Sequence, residues 1–461
     1  MSNYHPLWTP PLPDELVKGA KAVEIAKSLA KKSEKESAFI NAISSFYAES
    51  DSLNHRARTI RFEEAMASVA NKYKDDNEAT IFYALALTAA ADPTDKTLVK
   101  QKKAGHILDS LYKKQPLHPG IVHYIIHAYD SPELASMGLT AARKYASVAP
   151  ASAHALHMPS HIFTRMGLWD EAISSNMASV SSAQCYAKAA GIKGTWDEEM
   201  HGLDYLVYAH LQKGENQQAK QWLDYVKNIK QVQPANFKVA YALAAIPARY
   251  LLENHLWAEA ARLQVNEANV AWKEFPWQRA MIHFTTLMGA ANSNQLTLAR
   301  VELDSLQKIH DVLLAMKDQY KAAQVMVQLQ TGAAWLLLRE GKEQDALDKM
   351  TAAAGLEDKT EKHPVTPAEL MPARELLADM FMQIKRPREA LDAYAQNLTR
   401  HAGRFNSLYG AAKAASAQNK FDEAEKYYRQ LIAIAGNTNL QRPELKAAHD
   451  FIRQKTSIAR K

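Results

Sequence analysis

The sequence predicts an all-α protein, a right-handed superhelical solenoid of antiparallel helix pairs. Three observations carry this. From residue 16 onward, apolar residues recur at i, i+3, i+4 and i+7, and no strand-like alternation persists. The helix breakers are scarce, with 16 glycines and 18 prolines in 461 residues. One turn motif repeats along the chain.

That motif reads Arg165-Met166-Gly167-Leu168-Trp169-Asp170-Glu171-Ala172. It returns around Gly214 and Ala219, Asn254 and Ala260, Gly341 and Ala346, Lys385 and Ala390, and Asn419 and Ala424. Gly or Asn at the turn supplies the left-handed residue that ends a helix. The small Ala that follows lets the next helix pack closely. Paired helices with a period near 34 residues are the tetratricopeptide (TPR) signature. Helix pairs are expected at 36–73, 77–115, 119–147, 152–187, 197–229, 236–272, 276–315, 317–355, 367–397 and 402–436, with a capping helix near 442–456. Residues 1–15 are expected to be extended, residues 16–355 to form the main solenoid, and residues 367–461 a C-terminal group of repeats. The stretch 356–366, with Pro364, reads as a linker, and 188–196 as a short insertion.

Composition narrows the function classes. The net charge of +6 is small for this length, and its lysines and arginines are interspersed with acids, so no nucleic-acid footprint is expected. Cys185 is the single cysteine, which excludes an intramolecular disulfide. No apolar run approaches the ~20 residues of a membrane span. The proline-rich start lacks the apolar core of a signal peptide.

Histidine is the outlier. The chain holds 17 in 461 residues, yet the 44 residues from 118 to 161 contain six. His123/His127 and His157/His161 are two i, i+4 pairs, and 157 − 123 and 161 − 127 are both 34. In a solenoid of this period, first helices of successive repeats lie side by side along the concave wall, so the pairs are expected in matching register. Asp197/His201 on the next first helix is expected to add a third pair. His118 precedes Pro119 and reads as a helix N-cap beside the same wall. Pro159 should kink the helix between His157 and His161. His154 completes the candidate set. Nitrogen ligands with one carboxylate suit Cu, Zn or Ni. Met158 is a candidate soft ligand, with a core methionine the favoured role.

No known catalytic signature is present. His123-x-x-x-His127 encloses Tyr124, Ile125 and Ile126, so the glutamate of a zincin helix is missing. Tyr124 and Asp130 are groove candidates. Near the C-terminus, Glu375 and Arg404 are expected to pair across adjacent first helices, with Asn406 and Tyr409 beside them. Glue between repeats is the favoured role for that group.

The segments HPGIVHYIIHAYD, HALHMPSHIFTRMGLWDEAISSN, HGLDYLVYAHLQ, PARELLADM and RFNSLYGAA together resemble a family of bacterial tetratricopeptide proteins with histidine-rich repeats. The resemblance covers most of the chain and implies architecture more than reaction. It also implies that a segment like residues 1–8 lies inside the chain, behind an earlier helix pair and an export signal. Met1 would then be internal, the protein exported, and His5 another groove residue.

The expected function is therefore a concave-face transition-metal site between repeats. Two rivals stand beside it: a scaffold that holds a protein or peptide in its groove, and a metal-dependent enzyme of unknown reaction.

Overall fold

The computed structural model describes residues 10–11, 13–436 and 442–459. It is all-α, a series of antiparallel helix hairpins in two compact units, 1–149 and 150–461. His5 lies outside the described residues.

The first unit contains α1 (Pro13–Ser28), α2 (Glu34–Tyr47), α3 (His55–Lys72), α4 (Asn77–Ala89), α5 (Val99–Lys114), α6 (Pro119–Tyr129) and α7 (Ala135–Val148). Helix α1 starts inside the stretch expected to be extended and precedes the first expected pair. Several starts are written in the sequence as caps. Ser33 and Glu36 form a reciprocal capping box on α2, and Asn54 and Asp76 cap α3 and α4. The core gathers Phe46, Phe62, Met66 and Leu85.

The second unit contains α8 (Ala153–His157), α9 (Pro159–Met166), α10 (Trp169–Ala189), α11 (Asp197–Gln212), α12 (Asn216–Lys227), α13 (Phe237–Glu253), α14 (Trp257–Ala260), α15 (Pro276–Asn292) and α16 (Leu296–Ala315). It continues with α17 (Gln319–Arg339), α18 (Glu343–Glu357), α19 (Ala373–Gln383), α20 (Pro387–Arg400), α21 (Phe405–Ser416), α22 (Phe421–Ala435) and α23 (Pro443–Ala459). Two short strands, β1 (Thr195–Trp196) and β2 (Val232–Gln233), pair in parallel at the 188–196 insertion.

The turn motif works as its residue types require. Gly167, Gly214, His255, Gly341, Lys385 and Asn419 all have positive φ. The residue after each donates its N–H back across the helix end, as Leu168 does to the Phe163 carbonyl and Lys420 to the Ala415 carbonyl. Five positions after each left-handed residue stands an alanine, Ala172, Ala219, Ala260, Ala346, Ala390 or Ala424, and every one is 0 % exposed. In the third turn the left-handed residue is His255, not Asn254.

Two further expectations are corrected. The second helix of the 236–272 pair stops after one turn at Ala260. Beyond it, asparagine side chains bond to the backbone in place of a helical ladder: Asn266 Oδ1 accepts from Ala268 N at 2.7 Å and Asn269 Oδ1 from Val232 N at 2.8 Å. The second correction concerns the 356–366 linker. Helix α19 begins only at Ala373, and the chain before it forms a strap whose Lys362, His363, Thr366 and Ala368 are buried. The first helices of the hairpins hold this strap by its carbonyls. Tyr205 donates to Thr366 O at 2.9 Å, Arg249 to Ala368 O at 2.7 Å and Tyr320 to Glu361 O at 2.9 Å. The His363 ring packs against Phe237, Trp277 and Tyr320, with centroids 4.9, 5.7 and 5.8 Å away.

Candidate metal centre

Helix α8 is capped by Ser152 and ends at His157. Pro159 cannot donate a backbone hydrogen bond, so the helix breaks at Met158 and restarts as α9 with the proline in its first turn. Ser160 Oγ caps the His157 carbonyl at 2.7 Å. The break leaves His157 and His161 on one side, with Nε2 atoms 3.1 Å apart. His201 enters from α11, its ring centroid 4.1 Å from that of His157 and 6.5 Å from that of His161. Ligating nitrogens of the three rings all lie within 4.8 Å of one another, and this is the one such group of three among the described residues. Two nitrogens on a tetrahedral ion, each ~2.0–2.1 Å from it, sit roughly 3.3 Å apart.

The surroundings fix how these rings can act. His157, His161 and His201 are 1, 2 and 6 % exposed. Burial, then the neighbouring histidines, holds His157 well below the usual range, and burial with His157 and Lys238 does the same for His201. Both are therefore neutral near pH 7, the form that ligates. Asn176 Nδ2 donates to the Ala172 carbonyl at 2.7 Å, which turns Asn176 Oδ1 toward His157 Nδ1, also at 2.7 Å. An acceptor there assigns the proton to Nδ1 and the lone pair to Nε2. The Tyr205 hydroxyl gives its one proton to Thr366 O, so toward His161 Nδ1, 3.3 Å away, it can only accept. The same hydroxyl lies 3.4 Å from His161 Nε2, so it does not select between the two His161 tautomers. The His157 Nε2 lone pair then faces His161 Nε2 at hydrogen-bond distance.

The other sequence-predicted residues lie in different arrangements. Asp197 faces Lys238 Nζ at 2.8 Å and Asn236 Nδ2 at 2.7 Å, not the rings. His154 is half-exposed and meets Glu198 at 3.5 Å. His118 caps α6, accepting from Ile121 N at 3.2 Å while Nε2 meets Glu78 at 2.9 Å. His123 and His127 form a pair within the first unit, Nε2 to Nε2 at 3.0 Å, with Tyr124 and Tyr145 stacked on His123. Asp130 ends α6 as its C-cap. Met158 is buried in the kink.

Glu375 and Arg404 pair in a two-pronged bridge, both contacts 2.7 Å, and both residues are 0 % exposed. Arg404 also meets Glu253 at 2.8 Å, and Asn406 donates to Glu253 Oε2 at 3.0 Å. Tyr409 packs against Tyr428, outside this network. Sequence reasoning missed Asn176, Tyr205, Arg249 and Glu253. Tyr205 had a signal, since it stands four residues after His201 on the same helical face.

Among the described residues no helix is long and apolar enough to cross a membrane. Residues 407–442 match the tetratricopeptide repeat family model. No curated protein matches the sequence significantly. Among solved structures, a human IFIT1 dimer with m7Gppp-AAAA aligns over 92 % of this chain and 87 % of that one, with 11 % identity and a TM-score of 0.41. Yeast Tom70 aligns over 95 % and 97 %, with 10 % identity and a TM-score of 0.32. The TPR domain of P58(IPK) aligns over 82 % and 99 %, with 16 % identity and a TM-score of 0.24. The chain is an all-α helical-repeat protein that carries a tetratricopeptide repeat at residues 407–442.

Proposed function

We propose that the chain is a TPR-type scaffold that binds one transition metal ion, Cu, Zn or Ni, through Nε2 of His157 and His161 and a ring nitrogen of His201. The observation that supports it is the convergence of three buried imidazoles whose ring nitrogens lie within 4.8 Å of one another, with the Nε2 lone pair of His157 turned into the group by Asn176. Three imidazoles leave a fourth position for water or another ligand, which is the arrangement of catalytic rather than closed structural sites. The metal-dependent enzyme reading rests on that open position, with no reaction assigned. The histidine motifs of the bacterial family belong to the same reading.

A second reading has its own support. Tyr205, Arg249 and Tyr320 grip the carbonyls of the strap as a peptide-binding groove grips a peptide. In this reading the groove serves a protein or peptide partner that takes the place of the strap. No nucleic-acid partner is proposed.

The test is dialysis of the purified chain against Zn, Cu and Ni in turn, then elemental analysis. One ion per chain is expected. No bound metal after all three loadings overturns the site and leaves the scaffold.

A further inference from the structure

A cavity of about 230 Å³ opens beside α17, α19 and α21, and no residue of the histidine triad lines it. It has room for roughly eight waters at their liquid volume. Its wall combines Asp379 on α19 with three aromatic rings, Trp335, Tyr394 and Tyr409.

Asp379 stands apart from its neighbours. Glu375, one turn earlier on α19, is clasped by Arg404 at 2.7 Å; Glu253 meets the same guanidinium at 2.8 Å; and Glu444 meets Arg442 at 3.0 Å. Each of these carboxylates has a cation. Asp379 has the Tyr394 hydroxyl. That contact depends on Gly410, where a Cβ would come within 2.3 Å of the Tyr394 ring. The cations of Asp379 act from further off: Arg404, held by Glu375 and Glu253, and Lys413 on the cavity wall pull on its charge.

The aromatic wall already attracts an ammonium. Lys413, an exposed side chain at the same cavity, holds its Nζ 5.6 Å above the centre of the Tyr409 ring. The Trp335 indole N–H is buried with no acceptor, in a residue 2 % exposed.

We propose that this cavity binds a small organic ammonium that also carries a hydrogen-bond acceptor. The ammonium sits against the Asp379 carboxylate and takes the place of the Lys413 ammonium over Tyr409, and the acceptor takes the Trp335 N–H. The site is independent of the metal reading.

Binding should be linked to protons. Burial, with Glu375 behind it, pushes the Asp379 carboxyl up to about 7, against the pull of the Tyr394 hydroxyl, Arg404 and Lys413. The other titratable groups at the cavity hold one charge state near neutrality: burial and Arg442 keep His255 neutral, Arg442 keeps Glu444 ionised against the push of burial, and burial keeps Tyr409 protonated. Asp379 is the group that changes.

Calorimetry with ethanolamine on the chelator-treated full chain tests this, with acetate and tetramethylammonium as contrasts. Ethanolamine should bind, its affinity rising about tenfold from pH 6 to 8 as Asp379 ionises, with a proton released on binding at pH 6. Asp379→Asn keeps an acceptor for Tyr394 and should lose at least tenfold in affinity and all of the pH dependence. Trp335→Phe should cost a few-fold for ethanolamine and nothing for tetramethylammonium. Three results overturn the proposal: no ethanolamine binding at either pH, acetate binding more tightly than ethanolamine, or a flat pH profile in the unmodified chain. The last needs no variant and stands even if Asp379→Asn fails to fold.

Discussion

His123/His127 on α6 and His157/His161 across the α8–α9 break share a four-residue spacing and nearly the same Nε2 separation, 3.0 and 3.1 Å. Their surroundings differ. The first pair sits on an unbroken helix, half-buried, with tyrosine faces stacked on one ring. The second lies on either side of a proline break, nearly fully buried, with Asn176 at Nδ1 of His157, Tyr205 against the His161 ring and His201 beside it. An i, i+4 spacing brings two rings together on its own. A third nitrogen and a fixed tautomer at His157 come only from the packing of neighbouring helices.

The largest effect should come from removing a ligand of the second group. His201→Ala or His157→Ala should take metal stoichiometry from one to near zero, while His123→Ala leaves it unchanged. Loss of metal in His123→Ala, measured by elemental analysis after dialysis, would place the ion at the first pair. Next comes the amide that orients His157. Asn176→Ala should weaken the metal roughly 10–100-fold in a competition titration, the usual cost of losing such a partner. An unchanged affinity would mean that the tautomer is set by something else.

The strap offers a smaller effect. Burial, and then Lys321 and Lys362, pushes His363 down to about 3. The unfolded chain takes up this proton below about pH 6.5, and the folded chain does so only near pH 3, so stability falls as pH drops through that window. At pH 5 the loss from His363 is about 2 kcal/mol, and His363→Phe should flatten the slope in urea denaturation. The smallest effect belongs to Tyr205→Phe. It frees the Thr366 carbonyl, costs about 1 kcal/mol of stability, and should loosen the metal less than Asn176→Ala does.

Much of the fold was legible because helix hairpins are local. Periodicity placed the helices, and left-handed residues followed five positions later by alanine placed the turns. Where distant contacts decide, the sequence misled. The stretch around Pro364 is polar and proline-bearing, and reads as a linker until the groove that buries His363 and Thr366 is known. Asp197 stands four residues before His201, as a ligand should, but Lys238 on α13 claims it. Asn176 lies on the second helix of its hairpin, 19 residues after His157, where no periodicity argument looks. The kink at Pro159 and the N-cap role of His118 were local, and both are found where they were expected.

The most direct measurement is anomalous diffraction from crystals of the metal-loaded chain. One peak is expected within coordination distance of the ring nitrogens of His157, His161 and His201, roughly 2.0–2.1 Å for zinc. A peak at His123/His127 instead, or no ordered peak in crystals that carry metal, would contradict it.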